Sequence, residues 1–432
     1  NILWIQSPYF TVTLMKSRLL LFFSCLFCVI SAFSDDTQSG IFDPAFRTLE
    51  VKVEGYEMQQ PILILGSNDR IVISFDELAS ERSYLRYSLV HCDAMWRPSG
   101  LVESEFLDGF NQGDVEDYEY SDATTVNYVH YRIVLPNEQM RFTVSGNYLL
   151  RVYREDNPDK ALLQARFSVN ENVVKIAGEA TSRTDIDYND RHQQLNFMVD
   201  VDREPIHNIY TDLKVVITQN SRDDNRQMIT APQRVSGTTA YYEHLRNLIY
   251  PAGNEYRRFE TVSVNYPGMN VAEIVYADPF YHLRLYDDVP RVNTQFVYDM
   301  TQNGRFKIRE YNSDYSDVAA DYVVVHFKLN TPPMTGYDIF IDGDLTNRRF
   351  NPESRMHYDY TDNSYKASML LKQGSYNYQY LAVPAGTMTG VTGIVEGDFY
   401  PTVNEYLIQV YYREPGGRYD RLLGTTVLFS GK

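Results

Sequence analysis

Three observations predict an all-β protein made of several β-sandwich domains. Short runs in which apolar and polar residues strictly alternate recur along the chain, as in Leu49-Val51-Val53 set against Glu50-Lys52-Glu54. A period of two is the pattern of a pleated strand with one buried face. Clusters of Gly, Pro, Asn and Asp separate these runs, and no segment sustains a helical period, so helix is expected to be minor. The chain has 432 residues, enough for about two to four domains of ordinary size.

Residues 1–34 are set apart from the fold. Met15 is followed by Lys16 and Arg18, by the apolar run 19–33, and by Ser34-Asp35-Asp36. That basic, apolar and small-residue order is the order of a cleaved secretory signal peptide, and residues 1–14 read as an upstream extension. The apolar run falls short of the roughly 20 residues a membrane-spanning helix needs. A lipoprotein is the rival reading, because Cys25 and Cys28 lie in the run, but Phe22-Phe23-Ser24 and Leu26-Phe27 make poor processing sites before them. Loss of the leader removes Lys16 and Arg18 and no acid, which moves the net charge from −17 to −19. Such a balance argues against nucleic acid and anionic lipid as partners, since both select basic patches. Of three cysteines only Cys92 then remains, so no intramolecular disulfide is expected and stability must come from burial.

The first domain is expected over residues 35–172, with strands near 49–53, 71–75, 84–90, 148–153 and 163–169. The second, over 173–317, repeats the grammar with Leu195-Phe197-Val199-Val201 and Leu213-Val215-Ile217 and holds two polar connections, 219–226 and 252–260. The third, over 318–432, has Val323-Val325-Phe327-Leu329, Tyr365-Ala367-Met369-Leu371, Tyr376-Tyr378-Tyr380 and Ile408-Val410-Tyr412. Each is expected to be an immunoglobulin-like or fibronectin-like sandwich. An outer-membrane barrel fits poorly, because Arg151, Arg166, Lys214 and Lys328 interrupt what would be lipid-facing bands.

The unusual stretch is residues 93–126, 34 residues between two strand patterns where compact domains use about four to six. It carries Trp96, Phe106, Leu107, Phe110, Tyr118 and Tyr120, enough apolar area to pack onto a fold, and nine acids against one base, Arg97. An ordered, acidic, aromatic flap of this kind is expected to meet a partner.

Catalytic patterns are weak. Acid pairs such as Asp342 with Asp344, Asp187 with Asp190 and Asp223 with Asp224 are what chance provides among 57 acids. The eight histidines never fall at metal-ligand spacing, and His91-Cys92 would point to opposite faces of a strand. No nucleophile elbow or phosphate-binding loop occurs. A non-enzyme without a cofactor or metal is expected. The 36 tyrosines could line sugar-binding platforms, though tyrosine also suits half-exposed strand faces.

Several segments together resemble the plug protein family of the type IX secretion system of Bacteroidota: His91-Cys92-Asp93-Ala94-Met95-Trp96-Arg97-Pro98-Ser99, Glu105-Phe106-Leu107-Asp108-Gly109-Phe110, Leu135-Pro136-Asn137 and Ser145-Gly146-Asn147-Tyr148. In the second domain, residues 219–225 and 252–260 are similar to further recurrent segments of that family, although Asp223 stands where a Trp is expected. The resemblance implies a periplasmic, non-enzymatic protein, monomeric outside its complex and not itself inserted in the membrane. Its partner would be the outer-membrane translocon barrel, whose periplasmic opening it plugs. The third domain is similar to early-set modules that accompany glycogen-processing enzymes, through residues 321–329, 341–347 and 371–378. Where such a module would place a sugar-stacking Trp stand Arg348, Arg349 and Phe350. The alternative function is therefore a periplasmic glycan-binding accessory.

Closing a barrel mouth reversibly favours a few aromatic anchors inside a polar rim. Trp96, Phe110, Tyr118 and Tyr120 are the candidate anchors, with Glu116, Asp117 and Glu119 biasing the approach. Trp96 and Phe110 have a second reading, as pins that hold the flap to its own sandwich.

Overall fold

A computed structural model describes residues 36–431, so the expected leader lies outside the described residues. With 47% strand and 5% helix, the protein is all-β, and the strands form three sandwiches.

In the first sandwich, the alternating segments Leu85–Cys92 and Gly146–Arg154 pair antiparallel with Leu149 opposite Val90. Asn157–Asn170 flanks them on one side and Gly113–Asp114 on the other. The facing sheet runs Phe46–Val53, Ile71–Glu77, Val129–Leu135, Asp117–Tyr120. The apolar faces meet in one core that includes Phe46, Phe75, Tyr131, Tyr148 and Phe167. Residues 93–126 are not one flap. They cross from one sheet to the other and contribute edge strands to both, while Phe106, Leu107 and Val115 are buried in the core between.

The second and third sandwiches divide the chain differently from the boundary expected at residue 318. Val271–Ala277 and Phe280–Leu285 lie ahead of that boundary, yet Phe280–Leu285 pairs in parallel with Tyr322–Asn330. Arg257–Glu260 likewise pairs with Gly374–Pro384. The third sandwich thus takes its strands from about residue 257 to 384. The last hairpin, Glu405–Tyr412 with Arg421–Phe429, returns to the second sandwich, where Glu405–Tyr412 pairs with Leu213–Gln219 from Tyr406↔Gln219 to Tyr412↔Leu213. Tyr406, Ile408 and Val410 complete a core with Leu195, Phe197, Val215 and Ile217. The physical reason is that alternation fixes which face of a strand is buried but not which strand lies beside it. The third sandwich is an insertion between strands of the second.

The tyrosines of the third sandwich act as core. Tyr376, Tyr378 and Tyr380 are buried, and Tyr376 stacks on Phe259 at 5.1 Å. Arg348, in the place of a module's tryptophan, has a side chain only 7% exposed, and its guanidinium donates to the Asn303 carbonyl at 2.6 Å and to Asp344 at 2.8 Å. The acid pairs are engaged in the same way. Asp223 takes Arg166 at 2.8 Å and Arg226 at 3.0 Å, Asp224 takes Arg222 at 2.6 Å, and Asp187 takes the His192 ring at 2.6 Å.

Candidate partner-binding surface

The strand Asp117–Tyr120 closes one edge of the first sandwich. It pairs with Val129–Leu135 in the register Asp117↔Arg132 to Tyr120↔Val129. Its other edge makes no backbone hydrogen bond to any described residue. Open strand edges are templates for pairing with another chain. This one is short and acidic: Glu116, Asp117 and Glu119 are exposed, and among the described residues only Asp117 of the three has an ion-pair partner, Arg132 at 3.8 Å.

Aromatic rings gather along the same edge. Tyr118 is half-buried against the core, with its ring centre 6.4 Å from that of Tyr131. Tyr120, 50% exposed, meets Tyr118 edge-on at 5.7 Å. Arg82 lays its guanidinium over Tyr118 at 4.6 Å and over Tyr84 at 4.9 Å, a cation–π bracket that holds the rings in place. Arg82 and Tyr84 were not legible as part of this surface, because they lie some 35 residues upstream and only the sheet register brings them near. The result is an aromatic ledge with a charged rim, able to offer both ring faces and unpaired backbone groups to a partner.

The remaining candidates lie elsewhere. Phe110 is 80% exposed, but it follows Leu107–Gly109, which pairs with Met140–Phe142 beyond the Leu135 end of the sheet. That is a strand length of roughly 20 Å from Tyr120. Gly109, at φ +121°, is obligatory there, since a Cβ would fall 1.9 Å from the Gln139 carbonyl oxygen. Trp96 belongs to a third place. Asp93 accepts the backbone N–H groups of Met95 at 2.8 Å and Arg97 at 3.0 Å through its Oδ1. The tight turn this makes puts Trp96 at φ +64° and sets its ring 4.4 Å from the Arg166 guanidinium, within the junction of the three sandwiches. His91 and Cys92, just before it, do point apart. The His91 ring bonds Ser99 Oγ and the Ser145 carbonyl, whereas burial pushes the Cys92 thiol up to about 12.

Among the described residues no helix is long and apolar enough to cross a membrane. The model of the family described as "Type 9 secretion system plug protein 1st domain" matches residues 46–171, which are the span of the first sandwich from Phe46 to Asn170. A crystal structure of a hypothetical protein from Parabacteroides merdae ATCC 43184 is 41% identical, covering 91% of this chain and 99% of that one with a TM-score of 0.90. The abasic-site DNA complex of Pseudomonas fluorescens alkylpurine DNA glycosylase AlkC has 10% identity over 29% of each chain and a TM-score of 0.16. Native E. coli alpha-2-macroglobulin has 9% identity over 92% of this chain and 34% of that chain, with a TM-score of 0.17, and neither of these two carries an argument. No curated protein matches. Over its first sandwich, residues 46–171, the chain thus carries the first domain of the type 9 secretion system plug protein family.

Proposed function

We propose that this secretion-system protein acts without catalysis in the periplasm, where it closes the periplasmic opening of the outer-membrane translocon barrel, and that it grips the barrel through the edge strand Asp117–Tyr120. The observation that carries the reading is the coincidence of an unpaired strand edge, exposed aromatic rings and a rim of acids on the sandwich that matches the family. Such a surface suits reversible closure. Backbone hydrogen bonds and a few aromatic anchors exclude small solutes, while the small contact area keeps dissociation fast enough for cargo. Acids at the rim steer a basic counterpart, and that contribution weakens with salt.

The test is co-purification of the tagged chain with outer-membrane barrels from native membranes. The Tyr118→Ala/Tyr120→Ala double variant and the Glu116→Gln/Asp117→Asn/Glu119→Gln triple variant should each lower barrel recovery and leave the melting temperature nearly unchanged. Undiminished recovery in both removes this edge from the interface. If the wild-type chain recovers no barrel, and cells lacking it admit small solutes no faster, the closure reading itself fails.

A further inference from the structure

Two half-buried histidines touch on the outer face of the third sandwich. His282 lies on Phe280–Leu285 and His326 on its parallel partner Tyr322–Asn330, and the register His282↔Val324, Arg284↔His326 puts both rings on the face opposite the buried Leu283 and Val325. His282 Nδ1 stands 2.9 Å from His326 Nε2. The ring centres are 5.1 Å apart and the planes 15° from parallel. A nitrogen separation so much shorter than the centre separation sets the rings end to end rather than face to face. Two ring nitrogens aimed at one another share a single proton, since one donates and the other must offer its lone pair. His326 Nδ1 lies 2.8 Å from Ser368 Oγ, on the neighbouring strand Ser364–Lys372, and this contact orients the ring.

Neither ring bonds a carboxylate among the described residues. The charged groups on the surrounding strands are engaged with one another: Glu273 with Arg284 at 3.3 Å, Lys328 with Asp287 at 2.8 Å and Asp362 at 3.2 Å, and Lys366 with Asp359 at 2.9 Å and Asp362 at 2.8 Å. The exposed His357 stands opposite Lys366, one strand further out. A second proton on the pair therefore meets a like charge at hydrogen-bond distance with no anion to offset it. Burial, with the neighbouring His282, holds the His326 imidazole below its ordinary 6.5.

The pair spans a narrow seam. Four rungs, Tyr281↔Val323 to Arg284↔His326, join Phe280–Leu285 to the sheet, and Val271–Ala277 beyond it is the edge strand of the five. Just past the hairpin, the Asp288 backbone bonds those of Lys328 and Asn330 at 2.8 Å each, which marks where an opening would hinge.

We propose that His282 and His326 form a proton-operated latch on the hairpin Val271–Leu285, closed while the two rings share one proton and released when they take up a second. The open hairpin lets both rings protonate, so it binds more protons than the closed one. The contribution of the seam is thus full above about pH 6.5 and is lost as pH falls from there towards the depressed value of the closed state, by up to about tenfold in the opening constant per pH unit. Opening bares Leu283 and the backbone edge of Tyr322–Asn330, a template for another strand. The latch uses no residue of Asp117–Tyr120 and does not rest on the barrel reading.

Hydrogen exchange of the full chain, corrected for intrinsic rates, tests this at about pH 7.5 and about pH 5, on either side of the ordinary histidine value. Amides of 280–285 and 323–326 should lose at least about tenfold more protection in acid than those of Gly146–Arg154 in the first sandwich. His282→Gln and His326→Gln should each abolish that difference while keeping the neutral-pH melting temperature, because either removes the second proton site. Nuclear magnetic resonance of the wild-type rings should show the pair titrating in two steps more than about one pH unit apart. A single step near pH 6.5, equal loss of protection in the two regions, or a wild-type acid response in both variants overturns the proposal.

Discussion

Asp76 of the first sandwich and Lys372 of the third face each other at 2.6 Å, with side chains 0% and 1% exposed. The His130 ring lies 2.7 Å from Asp76 Oδ1, and the Tyr322 hydroxyl donates to Oδ2 at 2.6 Å while taking the Thr48 hydroxyl at 2.6 Å. The ammonium stands 4.2 Å over the Tyr128 ring. Desolvating two ions costs several kcal/mol each, so the pair is tolerable because its lone pairs and protons are satisfied, and it fixes how the two sandwiches meet. Lys372→Met leaves the carboxylate stranded and should destabilise the protein by about 3–5 kcal/mol. The Asp76→Asn/Lys372→Met double variant should recover much of that loss. Guanidinium unfolding of the three proteins measures both, and a Lys372→Met variant as stable as the wild type would contradict the assignment.

The same carboxylate sets an acid sensitivity. Burial opposes its charge, but the Lys372 ammonium and the His130 ring outweigh burial and hold its carboxyl below the ordinary 3.8. A carboxyl with a depressed folded-state pKa stabilises the fold fully above its unfolded-state value and loses that contribution as pH falls through the folded-state value. Urea unfolding followed from about pH 6 to about pH 2.5 should therefore show stability declining below roughly pH 4. The decline should be shallower in Asp76→Asn.

Cys92 should be inert in the native protein. It is fully buried, and burial pushes its thiol up to about 12, so almost no thiolate exists at neutral pH. Iodoacetamide labelling should proceed only as the chain unfolds, and reductant should leave the melting temperature unchanged. Labelling of native protein at the rate of an exposed thiol would contradict this.

Fragments should follow the sheets rather than the sequence boundary at 318. Residues 318–432 lack Phe280–Leu285, the parallel partner of Tyr322–Asn330, and their last hairpin lacks Leu213–Gln219. Expressed alone, they should give an unfolded circular-dichroism spectrum. Residues 36–172 hold both sheets of the first sandwich and should fold. The reverse outcome in either fragment would contradict the observed pairing.

Alternation made the individual strands legible. Residues 84–90 and 148–153 emerge as Leu85–Cys92 and Gly146–Arg154, because one apolar face per strand was visible in the residues themselves. Pairing was not legible, since Glu405–Tyr412 is buried along its whole length and nothing in it names Leu213–Gln219 as neighbour. Tyr118 and Tyr120 could be found from composition, whereas their bracket Arg82 depends on a fold-level register. Trp96 was expected on the flap, as an anchor or as a pin to its own sandwich, and it stands at the junction of the sandwiches beside Arg166. The signal that would have helped is local: Asp93, three residues earlier, is a natural acceptor for the backbone N–H groups of a tight turn, and such a turn re-aims the residue that follows.

The insertion of one sandwich within another also orders events in time. A chain that emerges N-terminus first presents Leu213–Gln219 long before Glu405–Tyr412 exists to cover it, so an apolar edge carrying Val215 and Ile217 stands open in the interim. The inserted sandwich owns all of its strands and can close first. Completion of the second sandwich then coincides with arrival of the last hairpin. Any product truncated before Glu405 displays that open edge, which marks it for proteolysis or aggregation, and full-length synthesis becomes a condition for a quiet surface.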